Sequence, residues 1–406
     1  MRASTYPMVT VDQAVAAVLA ETPVLGTEEV SLDRALGRVL AETVGAADDL
    51  PPFHASAVDG YAIRAADGAQ PRRVLSEIIA GSADSLAVSP GTTVRIMTGA
   101  PVPPGADAVI MVEQVVERDG VMTLDGKIRS GDNINPRGQD VATGQAVLGD
   151  GDQLGSAEIG LLAAVGRTRV KVYRRPVVAV LSTGDELIEP DQALRPGTIR
   201  DSNRYALLAS VREAGGEPLS LGTVRDDEAE QEAQIREGLR QADVVLTSGG
   251  VSVGSRDLIK PILGRIGTIH FGRVSFKPGK PTTFATVDGR LVFGLPGNPV
   301  SSLVSFEVFG RPALRKMQGH RQVLRTVVQV ELEHPVYPSS DRLEYQRAIV
   351  RWDRGRLVGA ATGAQSSSRL LSMVGANAYF RVDPGTTPIP AGGQISALLL
   401  GEIRPA

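Results

Sequence analysis

Apolar residues near the amino terminus recur at helical spacing. Val11, Val15 and Val18 would share one face of a helix. Thr10 precedes this pattern and Gln13 follows three residues later, a spacing typical of a capping box. A second apolar group between residues 32 and 40 has the same spacing and follows Ser31, an expected N-cap. The pattern therefore predicts two helices in the first 50 residues.

The pattern changes after residue 50. Residues 51–140 are rich in Gly, Pro and Asp and contain short β-type runs, which predicts a small β domain. These runs are Tyr61–Ile63, Val94–Met97 and Ala108–Val112. From Leu154 to Val172 the sequence predicts a helix followed by a strand. If this piece packs with the first helices, the β domain is an insertion within a discontinuous helical domain.

Buried strand patterns alternate with helical ones between residues 175 and 317. The strands are apolar throughout, which indicates burial on both faces and a mainly parallel sheet with helices on either side. The predicted strands are Val177–Leu181, Asp243–Leu246 and Leu291–Leu295, and the predicted helices are Arg204–Glu213 and Val300–Arg315. After Arg325 the sequence predicts strands of a separate β domain, namely Thr326–Glu331, Ala348–Trp352, Ala378–Val382 and Ile395–Leu400.

These patterns predict a multidomain α/β and β protein, because 406 residues exceed what one hydrophobic core usually serves. We expect a discontinuous helical domain in residues 1–50 and 141–176 and an inserted β domain in residues 51–140. An α/β domain is expected in residues 177–325 and a carboxy-terminal β domain in residues 326–406.

Composition narrows the function. With 43 basic and 46 acidic residues the net charge is only -3, so we expect no sequence-independent binding of nucleic acid and no binding to a membrane. There is no cysteine, which excludes disulfides, thiolate catalysis and cysteine metal sites. The amino terminus lacks a basic leader, and no apolar run approaches the roughly 20 residues that span a bilayer. The expected location is the cytoplasm.

Polar, glycine-containing turns follow the strands of the predicted parallel sheet. Ligands bind beyond the carboxyl ends of strands in such sheets. One such turn alone is usually only structural, but several at one edge predict a binding site. The turns are Ser182–Leu187, Thr247–Asp257, Lys277–Pro281 and Leu295–Pro299.

The residues in and around these turns suit a phosphate-bearing ligand with Mg²⁺. Glycines let backbone amides approach a phosphate, and Arg273, Lys277 and Lys280 add positive charge. Carboxylates are the ligands that Mg²⁺ prefers. The candidate metal ligands are Asp185, Glu186, Asp226 and Asp257. No Walker sequence or dinucleotide-binding glycine motif is present, and the four histidines lack metal-ligand spacing.

The same turns, together with two earlier segments, resemble the MoeA family, which includes the corresponding domain of gephyrin. The matching segments occur in order over nearly the whole chain: Pro51–Ala62, Arg95–Ala100, Ser182–Leu187, Thr247–Asp257, Lys277–Pro281 and Leu295–Pro299. The resemblance implies an elongated homodimer of four-domain subunits. It also implies an α/β domain similar to molybdopterin adenylyltransferases, a carboxy-terminal β-barrel, and a cleft between the α/β domain and the inserted β domain of the partner subunit.

The resemblance implies a molybdopterin molybdenumtransferase, which uses Mg²⁺, adenylylated molybdopterin and molybdate to form molybdenum cofactor and AMP. The candidate catalytic residues are Asp59, Thr98, Asp140, Glu186, Asp226 and Asp257. The candidate substrate-binding residues are Thr183, Gly184, Asp185, Ser248, Gly249, Gly250, Ser252, Arg273, Lys277, Gly279, Lys280, Pro296, Asn298, Arg347 and Ser367. Two positions depart from the family pattern: Arg273 stands where lysine is frequent, and Ser366 where glycine is usual.

Three other functions remain open at this stage. The α/β domain alone resembles the adenylyltransferases, which would consume a nucleotide. A gephyrin-like scaffold needs no catalysis, although nothing here resembles its extra linker. A general nucleotide-binding module would need only the turns, not Asp59 or Asp140. Expected partners of the transferase are a molybdopterin adenylyltransferase and molybdoenzyme maturation factors.

Overall fold

The computed structural model describes residues 6–81, 86–251 and 258–405. Contacts divide the chain into two compact units. The larger unit contains Met1–Glu28, Gly37–Val39 and Tyr173–Ala406, and the smaller one contains Glu29–Leu36 and Leu40–Val172. None of the described helices is long and apolar enough to span a membrane.

The described helices are α1 (Val11–Glu21), α2 (Ser156–Ala164), α3 (Asn203–Glu213), α4 (Glu228–Gln241), α5 (Ile259–Ile266), α6 (Pro299–Ser305) and α7 (Arg311–Met317). A π-helical segment, Phe306–Gly310, joins α6 to α7. Short 3-10 turns occur at Leu32–Arg34, Ala65–Asp67, Val112–Gln114 and Leu370–Met373.

The strands up to residue 173 are β1 (Thr27–Ser31), β2 (Val44–Gly45), β3 (Ala55–Ser56), β4 (Gly60–Ile63), β5 (Arg72–Ile78), β6 (Thr92–Ile96), β7 (Ala108–Met111), β8 (Val115–Arg118), β9 (Val121–Leu124), β10 (Ile134–Asn135), β11 (Ala146–Leu148) and β12 (Arg169–Tyr173). The later strands are β13 (Val177–Thr183), β14 (Leu187–Ile188), β15 (Ile199–Arg200), β16 (Glu217–Val224), β17 (Val244–Ser248), β18 (Thr268–Phe271), β19 (Phe276–Lys277), β20 (Thr283–Val287), β21 (Arg290–Leu295), β22 (Val327–Leu332), β23 (Leu343–Asp353), β24 (Arg356–Ala361), β25 (Ala378–Val382) and β26 (Gln394–Leu399).

A six-stranded sheet organises the larger unit in the order β16-β13-β17-β21-β20-β18. The first four strands are parallel, β20 pairs antiparallel with β21, and β18 pairs antiparallel with β20, which confirms the predicted mainly parallel sheet. Its strands are apolar throughout because both faces are covered. One face packs against α1, α3, α6 and α7, and the other packs against α4 and α5.

Helix α1 begins with the predicted capping box, in which Thr10 and Gln13 satisfy each other's backbone amides. Its buried residues Val11, Ala14 and Val18 join the core of the larger unit. The predicted division had grouped this helix with residues 141–176 instead. Packing decides the grouping, because the apolar face of a short helix has to be buried against a partner.

The carboxy-terminal β domain is a closed barrel, as expected. Strands β22 to β26 form it, and the pairing of β23 with both β24 and β25 closes the ring. Strand β19 lies beside β23 in parallel, which brings Lys277 into register with Glu344.

The smaller unit contains the predicted short strands within a six-stranded sheet of order β7-β4-β6-β5-β9-β8, with an apolar cluster on each face. A separate cluster unites residues 30–46 with residues 141–172 and includes Leu162 of α2. The predicted helix after Ser31 is wrong. Only a single 3-10 turn, Leu32–Arg34, forms there, and Gly37 soon takes a positive φ of 75° that is incompatible with a continuing helix.

Candidate functional site

A cleft of about 840 Å³ lies at the carboxyl edge of the parallel strands in the larger unit. The turns after β13, β17 and β21 line it, as does the segment that leads into α3. Nine of the candidate residues line this cleft: Thr183, Gly184, Glu186, Asp226, Ser248, Gly249, Gly250, Pro296 and Asn298. The edge-of-sheet geometry therefore brings together residues that are up to 115 positions apart, from Thr183 to Asn298.

Two of the cleft turns approach each other too closely for a side chain. A Cβ added to Gly249 would lie 2.7 Å from the carbonyl oxygen of Thr183, and Gly249 also has a positive φ of 99°. Both conditions are met only by glycine. Glycine therefore lets the turn after β17 lie directly against the end of β13, while its own amide donates to the carbonyl oxygen of Leu295 at 3.0 Å.

Asn203 joins two of the turns. Its side-chain amide donates to Ser248 Oγ and to the carbonyl oxygen of Gly297, both at 2.8 Å. Both hydrogens of the amide are thus used, and the turn after β17 is held to the turn after β21. The cleft has a defined width because a single side chain connects these two walls.

Asp201 also lines the cleft and is almost completely buried, with 1% of its surface exposed. Its carboxylate accepts hydrogen bonds from Ser182 Oγ at 3.0 Å and from Arg204 Nε at 3.0 Å. Arg204 in turn contacts Glu189. Burial lowers the pKa of Arg204, but these two carboxylates outweigh it and raise the pKa above the ordinary value. The network connects the segment before α3 to the end of β13.

The candidate metal ligands are only partly gathered. Glu186 and Asp226 line the cleft, whereas Asp185 accepts from the amide of Asp226 at 3.3 Å and lies 3.8 Å from Arg225 Nε. Asp257 and Ser252 lie outside the described residues. Within the parts of the chain that are described, no three His, Cys, Asp or Glu side chains are grouped to hold a metal ion.

The loop that carries Arg273, Lys277 and Lys280 is held mainly by hydrogen bonds of its backbone. The carbonyl of Lys280 accepts from Val274, and that of Arg273 accepts from Val9. Lys277 Nζ forms an ion pair of 3.1 Å with Glu344, whose side chain is buried. A Cβ on Gly279 would collide with Phe276. Pro281, next to Lys280, lines the cleft.

Two residues of the barrel region stand near the turn after β21. Asn298 Nδ2 donates to Ser367 Oγ at 3.0 Å. Arg347 is fully buried; its Nη2 donates to the carbonyl oxygen of Ser366 at 3.1 Å, while its Nη1 has no partner. The backbone carbonyl that Ser366 supplies would be supplied equally by glycine, so this contact survives the departure from the family pattern.

The remaining candidates belong to the smaller unit. Asp59 Oδ1 accepts from both the amide and the hydroxyl of Thr98, each at 2.7 Å. These hydrogen bonds, with the charge of Arg95, hold the pKa of Asp59 below its usual value. Gly60 allows β4 to approach β7, because a Cβ there would overlap the carbonyl of Ile110. Asp140 is exposed, and its amide donates to Leu50.

Profiles of known families match this chain in three consecutive stretches. Residues 9–166 match the MoeA N-terminal region (domain I and II), residues 179–316 a probable molybdopterin binding domain, and residues 329–400 the MoeA C-terminal region (domain IV). A molybdopterin molybdenumtransferase of Haemophilus influenzae is 36% identical and is covered over 98% of its length by 96% of this chain. This chain belongs to the MoeA family.

Further proteins are similar to this chain over most of its length. A molybdopterin molybdenumtransferase of Bacillus subtilis is 35% identical over 93% of this chain and 90% of its own length. Gephyrin of Dictyostelium discoideum is 35% identical, and this chain spans 64% of its length. The crystal structure of a molybdopterin biosynthesis MoeA protein from Pyrococcus horikoshii OT3 has a TM-score of 0.83 at 30% identity, with 97% of this chain and 100% of that chain covered.

The MoeA motifs did not include Asp201 and Asn203, which the structure places in the cleft wall. The only sequence signal for them was their position, because Asp201-Ser202-Asn203 precedes the predicted helix α3 and follows a glycine-containing loop. The partners of Asn203 are 45 and 94 residues away, so no local pattern could indicate them.

Proposed function

We propose that this protein is a molybdopterin molybdenumtransferase, which uses adenylylated molybdopterin and molybdate as substrates and releases molybdenum cofactor and AMP. The cleft at the carboxyl edge of the sheet carries the proposal, because it combines glycine turns with carboxylates in one accessible volume. The names of the relatives from Haemophilus influenzae and Bacillus subtilis support the same activity.

The turns would bind the phosphates of the substrate. The turns after β17 and β21 contain Gly249, Gly250 and Gly297, and backbone amides in such glycine turns stabilise anions. Asn203 fixes the distance between two of these turns, so the phosphate site is formed before the substrate arrives. Lys280 and Arg273 would add positive charge to this side of the site, which Arg273 can do as a planar donor fork.

Glu186 and Asp226 fit a Mg²⁺ ion. Mg²⁺ is commonly held by one or two carboxylates together with substrate phosphates and water, rather than by a complete protein cage. The two side chains line the same cleft as the glycine turns. When bound, the ion would neutralise charge that develops on the phosphate oxygens. Asp185 and the undescribed Asp257 stay candidate ligands.

We also propose that the active form is a cytoplasmic homodimer with shared sites, as the resemblance implies. Asp59 and Thr98 belong to the smaller unit, and Glu186 belongs to the larger one. Mixing an Asp59→Ala protein with a Glu186→Ala protein tests the sharing, because a heterodimer would contain one doubly altered and one intact site. Activity should partly return on subunit exchange. No recovery despite demonstrated exchange would exclude shared sites.

The activity itself is tested with purified protein, adenylylated molybdopterin, molybdate and Mg²⁺. AMP release and cofactor formation should both occur, and chelation of Mg²⁺ should stop them. Glu186→Ala should reduce turnover by about 100-fold or more, whereas Glu237→Ala, on the exposed face of α4, should not. Consumption of ATP with molybdopterin would instead establish an adenylyltransferase, and absence of either turnover would favour a scaffold.

A further inference from the structure

Three arginines and one glutamate gather at the end of the α/β region, away from the residues that line the cleft. Glu307, Arg311 and Arg315 are spaced four residues apart through the π-helical segment and α7, so they share one helical face. Arg325 reaches the same face from the segment that follows α7. We call these four residues the arginine cluster.

The positive charges of the arginine cluster exceed its negative charge. The carboxylate of Glu307 lies 2.7 Å from Arg325 Nε and 3.6 Å from Arg311 Nε. Arg315 has only neutral acceptors among the described residues. Its Nη2 contacts His320 Nδ1 at 3.1 Å, and its Nε donates to the carbonyl oxygen of Gln322 at 3.4 Å. One carboxylate thus pairs with two guanidinium groups, and Arg315 has no carboxylate partner among the described residues.

Burial makes this excess costly. Arg311 is only 8% exposed, and burial lowers its pKa to about 10. Burial also lowers the pKa of Arg315, and burial with the charges of Arg315 and Arg311 lowers that of His320 to about 4. His320 is therefore neutral near pH 7. Because Arg315 donates to Nδ1, the ring proton is on Nε2, which leaves a further donor at this place.

We propose that the arginine cluster binds a tetrahedral oxyanion, of the class of phosphate, sulfate or molybdate. Buried cations are stable when an anion pairs with them, and the cluster lacks such an anion for Arg315. The planar guanidinium group presents paired donors that match the oxygens of a tetrahedral oxyanion. A site here would be separate from the cleft, and it does not depend on the proposed transferase activity.

Binding of inorganic phosphate and of molybdate to the full chain tests the proposal, by thermal unfolding and by calorimetric titration. Each anion should raise the unfolding temperature of the unaltered protein, since ligands that bind only the folded state stabilise it. Arg315→Gln should weaken this binding by about tenfold or more, the loss expected for one charged hydrogen-bond donor. Arg315→Lys should weaken it less, because the charge is retained without the fork.

Two controls separate the arginine cluster from other cationic places. Arg240→Gln, on the opposite face of the sheet, removes an exposed arginine and should leave the anion response unchanged. Lys280→Gln removes a cation near the cleft, and the response of the arginine cluster should persist in it. If the unaltered protein shows no response, or if adding Arg315→Gln to Lys280→Gln leaves the response of Lys280→Gln unchanged, the proposal is overturned. A phosphate-independent change of oligomeric state in Arg315→Gln would also overturn it, because a protein carboxylate would then be the natural partner.

Discussion

The carboxylates at the amino ends of the parallel strands, here called the amino edge, differ in their hydrogen bonding from those at the carboxyl ends, the carboxyl edge. At the amino edge Asp243 accepts two hydrogen bonds from Arg174, at 2.7 and 2.6 Å, and one from the amide of Val177 at 2.9 Å. Arg290 adds a contact of 3.4 Å. At the carboxyl edge Glu186 is exposed and lines the cleft, and its side chain forms no hydrogen bond or ion pair with another described residue. The carboxylate at the amino edge is paired within the protein, whereas the carboxylate at the carboxyl edge can accept hydrogen bonds from a ligand or bind a cation.

The pKa of Asp243 reflects these contacts. Burial alone would raise its pKa, but the hydrogen bond from Arg174, the amide of Val177 and the charges of Arg174 and Arg290 lower it below the usual value. The same pair raises the pKa of Arg174. Each member stabilises the charged form of the other, which is typical of an ion pair that serves the fold.

Replacing Asp243 by Ala should lower the stability of the fold without affecting the candidate site. Two arginines would lose their buried carboxylate partner, and each of them is itself partly exposed, so the free energy of unfolding should fall by about 2 to 3 kcal/mol, as measured by urea denaturation. Turnover per folded molecule should be unchanged.

Glu186→Ala is the matched control, and it should show the reverse. Its unfolding free energy should stay within about 0.5 kcal/mol of the unaltered protein, as for an exposed residue outside any network, while turnover is lost. Equal stability losses in the two variants would mean that the edges do not differ in the way described.

Much of this contrast could be predicted from sequence. Strands β13, β17 and β21 are apolar throughout, and the polar turns after them predicted a site at the edge where the structure has a cleft. The pairing of Asp243 could not be predicted, because Arg174 is 69 residues away and only the register of β13 beside β17 brings the two together. Strand β16 was missed because it is polar and contains Pro218, which an edge strand tolerates.

The error after Ser31 has a related cause. Residues 32 to 40 have helical apolar spacing, yet Leu36 is 63% exposed while Ala35 and Leu40 enter a core through an irregular turn. Spacing reports which residues are apolar, but not whether a partner surface exists to bury a whole helical face. Roles of single site residues are harder still, since the MoeA motifs indicated Lys277 without its buried partner Glu344.

The ion pair of Lys277 with Glu344 leads to a second prediction, a stability effect of intermediate size. Lys277 is both a candidate site residue and the partner of a buried carboxylate. Lys277→Ala should leave Glu344 buried without a cation, so the unfolding free energy should fall by about 2 kcal/mol, less than for a fully buried pair because the lysine is half exposed. Substrate binding should weaken as well and lose part of its salt dependence.

A second change separates these two effects. Adding Glu344→Gln to Lys277→Ala should restore much of the stability, because the uncompensated charge is gone, but it should not restore substrate binding. If the double variant binds substrate normally, Lys277 serves the fold alone. Lys280→Ala provides the comparison without a buried partner, and its stability should be nearly unchanged.

The amino edge also predicts a smaller, pH-dependent effect. The folded-state pKa of Asp243 is lowered, so its contribution to stability is present above its unfolded value near 3.9 and is lost as the pH falls through the folded value. Unfolding free energy measured from about pH 5 to pH 3 should therefore fall less steeply in Asp243→Asn than in the unaltered protein. Parallel curves would show that Asp243 has the same pKa in both states.

Asp59 is intermediate between Asp243 and Glu186 in the number of hydrogen bonds that its carboxylate accepts. The smallest effect is expected for a change at this residue's partner. It is exposed like Glu186, yet one of its oxygens already accepts two hydrogen bonds from Thr98. Thr98→Val removes the hydroxyl and keeps the amide, so the pKa of Asp59 should rise toward the usual value without reaching it. Carbon-13 NMR of aspartate-labelled protein measures this, with Asp59→Asn to assign the signal. Because the carboxylate stays ionised near pH 7 in either case, turnover should decrease less than in Glu186→Ala. An unchanged pKa would mean that the amide of Thr98 alone holds the charge, and a loss of turnover as large as that of Glu186→Ala would mean that the hydroxyl acts on the substrate rather than on Asp59.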